Sequence, residues 1–159
     1  MNTSFEKSKG NDEWLTPKNI TDELGPFDLD PCSPIIRPWD VSTTHYNKLD
    51  DGLSKDWNKD FVWMNPPYGR ETFKWMSKLA THNNGIALIF ARTDTVGFHA
   101  EIFNKADALL FIKGRLRFHY VDGRQGDSAG APSCLVAFGE EAVNRLSNCN
   151  IKGKLVFLK

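Results

Sequence analysis

Phe61-Val62-Trp63-Met64-Asn65-Pro66-Pro67-Tyr68 decides how the rest of this chain is read. Four apolar residues make a short buried strand, and two prolines stop it. Each proline fixes its own φ and removes a backbone donor, so no sheet ladder runs through the pair. Downstream, Glu71–Thr81 puts Phe73, Met76, Leu79 and Ala80 on one helical face, and Ile86–Ala91 is a continuous apolar strand. Val96–Lys105 reads as a helix with Val96, Phe98, Ile102 and Phe103 on its apolar side. Ala108–Ile112, Cys134–Phe138 and Lys154–Leu158 read as strands, and Glu140–Leu146 as a helix. Upstream, Thr16-Pro17 offers a hydroxyl N-cap and a proline at the first position of a helix reaching about Leu24. Phe27–Leu29 is a short strand ending in Asp30-Pro31. Pro34 and Pro38 interrupt the next stretch, and within 32–60 only about 40–50 has room for another short element.

Continuous apolar strands alternating with amphipathic helices specify an α/β fold, a mostly parallel sheet with helices on both faces. Ligands of such sheets sit at the carboxyl ends of the strands. Asp30-Pro31, Asn65–Tyr68 and Arg92-Thr93-Asp94 all fall there. Residues 1–11 lack any periodic pattern and read as a flexible tail, leaving 12–159 as one domain. No apolar run approaches the length that spans a bilayer, and the first residues lack a signal-peptide pattern, so a cytoplasmic protein without membrane attachment is expected. Cys32, Cys134 and Cys149 are odd in number and widely spaced, and the four histidines show no ligand spacing. Neither a disulfide framework nor a metal site is expected. Formal net charge is zero, yet residues 1–60 hold 7 Lys+Arg against 12 Asp+Glu, and residues 61–159 hold 13 against 8. That split suits a basic face for phosphates, and equally suits a chance fluctuation on a solvated surface.

The chemistry of Asn65-Pro66-Pro67-Tyr68 follows from its parts. An exocyclic amine on an aromatic ring is a poor nucleophile, because its lone pair is delocalised. Two acceptors on that amine, the Asn65 side-chain oxygen and the Pro66 carbonyl, would draw the nitrogen toward tetrahedral geometry. They would also stabilise the positive charge that grows as a methyl group arrives. Pro66 and Pro67 hold the loop rigid, and Tyr68 offers a flat surface for a base, worth about 1–3 kcal/mol. A base inside a duplex cannot reach such a loop, so it would have to be flipped out. Alternatively, Pro-Pro-Tyr merely ends a strand, a reading that the flanking Asn65 and the strand before it disfavour.

Asp12-Glu13-Trp14-Leu15-Thr16-Pro17, Phe27-Asp28-Leu29-Asp30-Pro31-Cys32, Asp51-Gly52-Leu53 with Trp57, and Trp63–Gly69 together resemble the phage-type DNA N-6-adenine methyltransferases. The resemblance continues through Arg92-Thr93-Asp94-Thr95 and Gly114-Arg115-Leu116-Arg117-Phe118, in the family's order. It implies a Rossmann-like methyltransferase fold whose last strands are antiparallel, S-adenosylmethionine as methyl donor, and adenine in double-stranded DNA as substrate. It also suggests a bacteriophage setting, with methylation shielding DNA from restriction nucleases. In the donor site it implies, Asp30, Pro31 and Cys32 cradle the methionine part, and Asp30 accepts from its ammonium. Thr16-Pro17 abut its carboxylate at a helix N-terminus, Asp51-Gly52 read its adenine, and Asn65 borders it. Thr16 and Asp51 read equally simply as a cap and a turn residue, and a plain turn residue is the less favoured alternative for Asp30. The Gly-x-Gly turn that many donor-binding methyltransferases carry after the first strand is missing, with Cys32-Ser33-Pro34 in its place. Too few residues separate Pro31 from Phe61 for two more strand–helix units. An abbreviated donor half, or one completed by another subunit, is expected; monomer and homodimer both stay open. Asp40 and Asp50 are candidates for the donor's ribose.

For DNA, Lys113–Tyr120 places Arg115, Arg117 and His119 on one side if extended, with Leu116, Phe118 and Tyr120 on the other. The basic side suits phosphates, and Arg124 and Gln125 in the next loop suit base edges. A solvated hairpin is the plain alternative. Arg70 and Arg92 are further phosphate candidates. The loop alone would also serve a methyltransferase of RNA bases or of glutamine side-chain amides, and a non-catalytic nucleic-acid-binding relative is a third possibility.

Overall fold

The computed structural model describes residues 13–159, so the tail read at 1–11 lies outside the described residues. Seven strands form one sheet in the order β2-β1-β3-β4-β8-β5-β9. They are β1 (Phe27–Asp30), β2 (Ser42–His45), β3 (Val62–Met64), β4 (Gly85–Phe90), β5 (Ala108–Ile112), β8 (Ser133–Phe138) and β9 (Gly153–Phe157). β1 runs parallel to β2 and β3, and β3 parallel to β4. β8 enters antiparallel between β4 and β5, and β9 lies antiparallel on the outer edge of β5. The first five strands therefore point one way and the last two oppose them. Every residue of β4 and β8 is buried, which explains their continuous apolar sequences.

Alternation along the strands divides the core between two faces. Trp63, Ile86, Leu88 and Phe90 pack toward α1 (Lys18–Leu24) and α4 (Glu140–Asn148), through Ile20, Leu24, Ala142 and Leu146. Val62, Met64, Ala87 and Ile89 pack toward α2 (Thr72–His82) and α3 (Val96–Phe98), through Trp75, Met76, Leu79 and Phe98. Helices thus cover both faces, and no helix among the described residues is long and apolar enough to cross a membrane.

Three local expectations need correction. The helix expected from Val96 to Lys105 is a three-residue α-turn continued by a π-helical turn, His99–Phe103. Thr95 caps it, its hydroxyl accepting from Phe98 N at 3.3 Å, so Val96 is the first helical residue and points outward, 87% exposed. The buried face of α2 holds Trp75 with Met76 and Leu79, while Phe73 and Ala80 are only half-buried. Thr16 does not cap α1. Pro17, at φ −51° and ψ 127°, stands at the cap position, no side chain caps the helix, and the helix starts at Lys18. The extended backbone before it is held by a bridge in which Leu15 and His119 exchange both hydrogen bonds, at 2.8 and 2.9 Å.

Between β1 and β3 stand one strand, β2, and one 3-10 turn, Gly52–Ser54, so this half of the sheet is abbreviated as its length required. The turn is fixed from behind: Trp57 Nε1 donates to the Gly52 carbonyl at 3.0 Å and Lys78 Nζ to the Leu53 carbonyl at 2.8 Å. β6 (Arg117–His119) and β7 (Gln125–Ser128) form a separate antiparallel hairpin between β5 and β8.

Candidate active site

Chain reversals after β1, β2 and β3 enclose a cleft of about 310 Å³. Pro31, Cys32 and Ser33 line it from β1, Asn47 and Lys48 from β2, and Asn65, Pro66, Pro67 and Tyr68 from β3. Asp51, Gly52 and Leu53 close another side, with Glu13, Pro34, Glu71 and Trp75 completing the wall.

The floor is rigid because its backbone is tied to its neighbours. Tyr46 N donates to the Asp30 carbonyl and Ser33 N to the Tyr46 carbonyl, each at 2.9 Å. Cys32 N donates to Asp30 Oδ1 at 3.2 Å. Gly52 meets this segment so closely that a Cβ there would lie 2.0 Å from the Pro31 carbonyl oxygen, a backbone clash that no rotamer relieves. Glycine is therefore the residue that lets the 51–53 turn close on the floor. Asp30 itself is buried beneath the lining, 6% exposed. Desolvation pushes its carboxyl up to about 7, against the opposing pull of the Cys32 N–H and the more distant Arg37 charge. Burial and the neighbouring Asp30 push the Cys32 thiol well above its ordinary range, so it stays protonated.

The loop after β3 is held at three points. Tyr68 Oη donates to Asn65 Oδ1 at 3.3 Å, Cys32 Sγ donates to the Asn65 carbonyl at 3.4 Å, and Thr72 Oγ1 donates to the Pro67 carbonyl at 2.6 Å. The Tyr68 ring stacks on Phe90, centroids 4.5 Å apart and planes 18° apart, so one of its faces is already covered. Phe90 in turn meets Phe118 of β6 edge-on at 6.5 Å. This aromatic series joins the loop to the hairpin.

Of the residues expected at a site, Asn65, Pro66, Pro67, Tyr68, Pro31, Cys32, Asp51 and Gly52 converge on this one cleft, while Asp30 is buried and accepts from the N–H of the lining Cys32. Thr16 and Pro17 are buried and do not line it. Asp50 and Asp40 turn to their own loops: Asp50 Oδ2 accepts from Asn47 N at 2.9 Å, and Asp40 Oδ1 from Arg37 Nε at 2.9 Å. Glu13, Asn47, Lys48, Glu71 and Trp75 were not anticipated. Asn47 and Lys48 come after a polar, half-exposed strand with no apolar alternation to betray it. The place of Glu71 beside the loop, one residue before α2, was the available signal.

On the basic side the alternation holds from Arg115 to Phe118 and fails at His119, which is half-buried, 3.1 Å from the Gly123 carbonyl through Nδ1 and edge-on to Trp39. Arg115 and Arg117 are exposed, Phe118 is buried, and Leu116 and Tyr120 are half-buried. Arg117 Nε donates to the Gly126 carbonyl at 2.8 Å and Arg115 Nη1 to the Ala129 carbonyl at 3.3 Å, so both brace the hairpin while remaining exposed. Arg124 is paired with Asp122 at 2.7 Å and lies over the Tyr120 ring, which makes it less available to a base edge than its position in the loop implied. Gln125 and Arg70 are exposed, and the Arg92 guanidinium lies 5.5 Å from the centre of the Phe90 ring.

No curated protein and no solved structure matches the chain. A family model does, from residue 3 to residue 158, and it takes in the cleft, the proline loop and the hairpin alike. On that match the chain belongs to the DNA N-6-adenine-methyltransferase (Dam) family.

Proposed function

We propose that this protein transfers a methyl group from S-adenosylmethionine to the N6 amine of an adenine flipped out of double-stranded DNA, as a site-specific enzyme on a Rossmann-like methyltransferase sheet. One observation carries the reading: the Asn65–Tyr68 loop and the Pro31–Cys32 and Asp51–Gly52 segments, far apart in sequence, line one cleft at the carboxyl ends of parallel strands.

The residues present fit such a donor. The volume falls at the lower end of small-molecule sites. Glu13, Asp51 and Glu71 line it with Lys48 as the one opposing charge among the described lining residues, a balance that favours a cationic ligand. Asp30 and the backbone of Pro31–Cys32 would hold its amino-acid end and Asp51 the amine of its adenine. When bound, the donor supplies a methyl group activated on a sulfonium. Asn65 Oδ1 and the Pro66 carbonyl accept from the two N–H groups of the target amine and localise its lone pair. They then stabilise the charge on nitrogen, and the surplus proton leaves to water, so no general base is required. Tyr68 holds the Asn65 carboxamide through its hydroxyl. Arg115 and Arg117 take the duplex, with Arg70, Arg92 and Gln125 as further contacts and Arg124 only on release from Asp122.

The test is to incubate the protein with labelled donor and unmethylated DNA, RNA or protein, then digest each acceptor to nucleosides or amino acids. Label in N6-methyl-2′-deoxyadenosine from DNA is expected. Label in an RNA nucleoside or in glutamine, or none at all, overturns the reading. Restriction protection of DNA from expressing cells would then supply the site sequence and bear on a phage or restriction-modification setting.

A further inference from the structure

The loop Asn65-Pro66-Pro67 has three successive carbonyls, and the two outer ones are taken. Cys32 Sγ, from the floor after β1, donates to the Asn65 carbonyl at 3.4 Å. Thr72 Oγ1, from the first residue of α2, donates to the Pro67 carbonyl at 2.6 Å. Among the described residues the Pro66 carbonyl between them accepts no hydrogen bond. Neither Pro66 nor Pro67 has an N–H, so this stretch cannot be fixed by backbone donation of its own. Its orientation has to come from donors supplied by neighbouring elements.

We propose that Cys32 and Thr72 are positioning residues, a two-point clamp that holds the flanking carbonyls inward and aims the Pro66 carbonyl at the substrate amine. The clamp rests on the proposed adenine methylation and assigns roles to two side chains that touch neither reacting atom. Both donors are suited to the task. Thr72 is buried, 8% exposed, and its backbone N donates to the Gly69 carbonyl at 3.4 Å, so its hydroxyl sits on a fixed backbone. Cys32 sits on a floor tied to β2 by the two 2.9 Å hydrogen bonds of Tyr46. A thiol is a weak donor, and the hydroxyl at 2.6 Å is the stronger of the two points.

A clamp of this kind acts on rate rather than on binding, because the acceptor matters most where charge develops. Thr72→Val keeps the side-chain shape and deletes the hydroxyl, while Thr72→Ser keeps the hydroxyl and deletes a methyl. The experiment measures kcat, both KM values and the melting temperature for these variants and for Cys32→Ala, on unmethylated duplex DNA. Thr72→Val should lower kcat about tenfold with both KM values within about twofold, equivalent to one modest hydrogen bond. Thr72→Ser should recover most of that loss, and Cys32→Ala should lower kcat severalfold. If wild-type protein methylates adenine and both Thr72→Val and Cys32→Ala keep its kcat, the clamp is overturned and the proposed function stands. Equal losses in Thr72→Val and Thr72→Ser, or losses that track the melting temperature, also overturn the clamp, since they would mark packing alone. Wild-type protein that leaves adenine unmodified overturns the proposed function and the clamp with it.

Discussion

Asn65 is where sequence and chemistry meet most directly. Its carboxamide oxygen already accepts the Tyr68 hydroxyl at 3.3 Å, so it is oriented before any substrate arrives. Asn65→Ala should therefore cut turnover by about two orders of magnitude or more, the usual cost of a preorganised acceptor. Donor affinity should largely survive, as equilibrium binding of S-adenosylhomocysteine would show. Near-normal methylation by this variant would remove Asn65 from the chemistry. Asp30 was legible as a strand-end carboxylate, but its burial was not, because that depends on how the chain closes over it. Burial raises its carboxyl to about 7, so the folded chain keeps a proton that the unfolded chain releases above about pH 4. The stability this contributes is full below pH 4 and is lost as pH rises through 7. Asp30→Asn keeps the acceptor for Cys32 N and has no charge to bury. Urea titrations of the unliganded protein should show it gaining on wild type from pH 5 to pH 8, by on the order of 4 kcal/mol at most. Parallel pH profiles would mean that Asp30 is better solvated than its 6% exposure indicates.

Among the elements, the hairpin β6–β7 carries the clearest division of labour. Phe118 is buried against the core and meets Phe90, while Arg115 and Arg117 lean outward and brace the turn through the Ala129 and Gly126 carbonyls. If both guanidinium groups meet phosphates, replacing them with Ala should weaken DNA binding and lower the slope of log K against log salt by about 2. Titrations at several salt concentrations measure this directly, and an unchanged slope would take the hairpin off the DNA surface. The alternation from Arg115 to Phe118 was readable because period two needs no tertiary information, whereas the turning-in of His119 onto Trp39 depends on it. The Asp122 partner of Arg124 was close in sequence and still unread, since a two-residue spacing forms an ion pair only in a turn of this shape. The same limit applied to Val96–Lys105. Apolar spacing indicated a helix, but the Thr95 cap and the π turn that displace Val96 outward are set by packing against α2, where a Cβ on Gly97 would collide with the Phe73 ring.

At the scale of the whole molecule, the sheet was legible because its buried strands are uninterrupted apolar runs, and both its covered faces and its opposed last strands are as expected. β2 was legible only as room for a short element at about 40–50, not as a strand, since Ser42-Thr43-Thr44-His45 is polar and gains its place by pairing with β1. That strand brings Asn47 and Lys48 to the cleft, so two of the unforeseen lining residues stem from the part of the fold whose type was unread. The segment Glu13-Trp14-Leu15 has a similar lesson. Glu13 lines the cleft and its carboxylate accepts from Ile35 N at 3.2 Å. Trp14 lies 4.7 Å from the Tyr120 ring, and Leu15 is bridged to His119. Three residues, spanning about 10 Å when extended, therefore touch both the cleft and the hairpin. A ligand that fixes Glu13 should also fix the hairpin, so S-adenosylhomocysteine at saturation should tighten DNA binding about fivefold or more. By linkage, DNA should tighten S-adenosylhomocysteine by the same factor. Trp14→Ala should bring both factors toward one while leaving the affinity for S-adenosylhomocysteine alone near that of wild type, because Trp14 contacts the hairpin and not the cleft. DNA titrations with and without S-adenosylhomocysteine, on both proteins, decide it. Equal DNA affinities in the two conditions for wild type would mean that the segment joins the halves without passing anything between them.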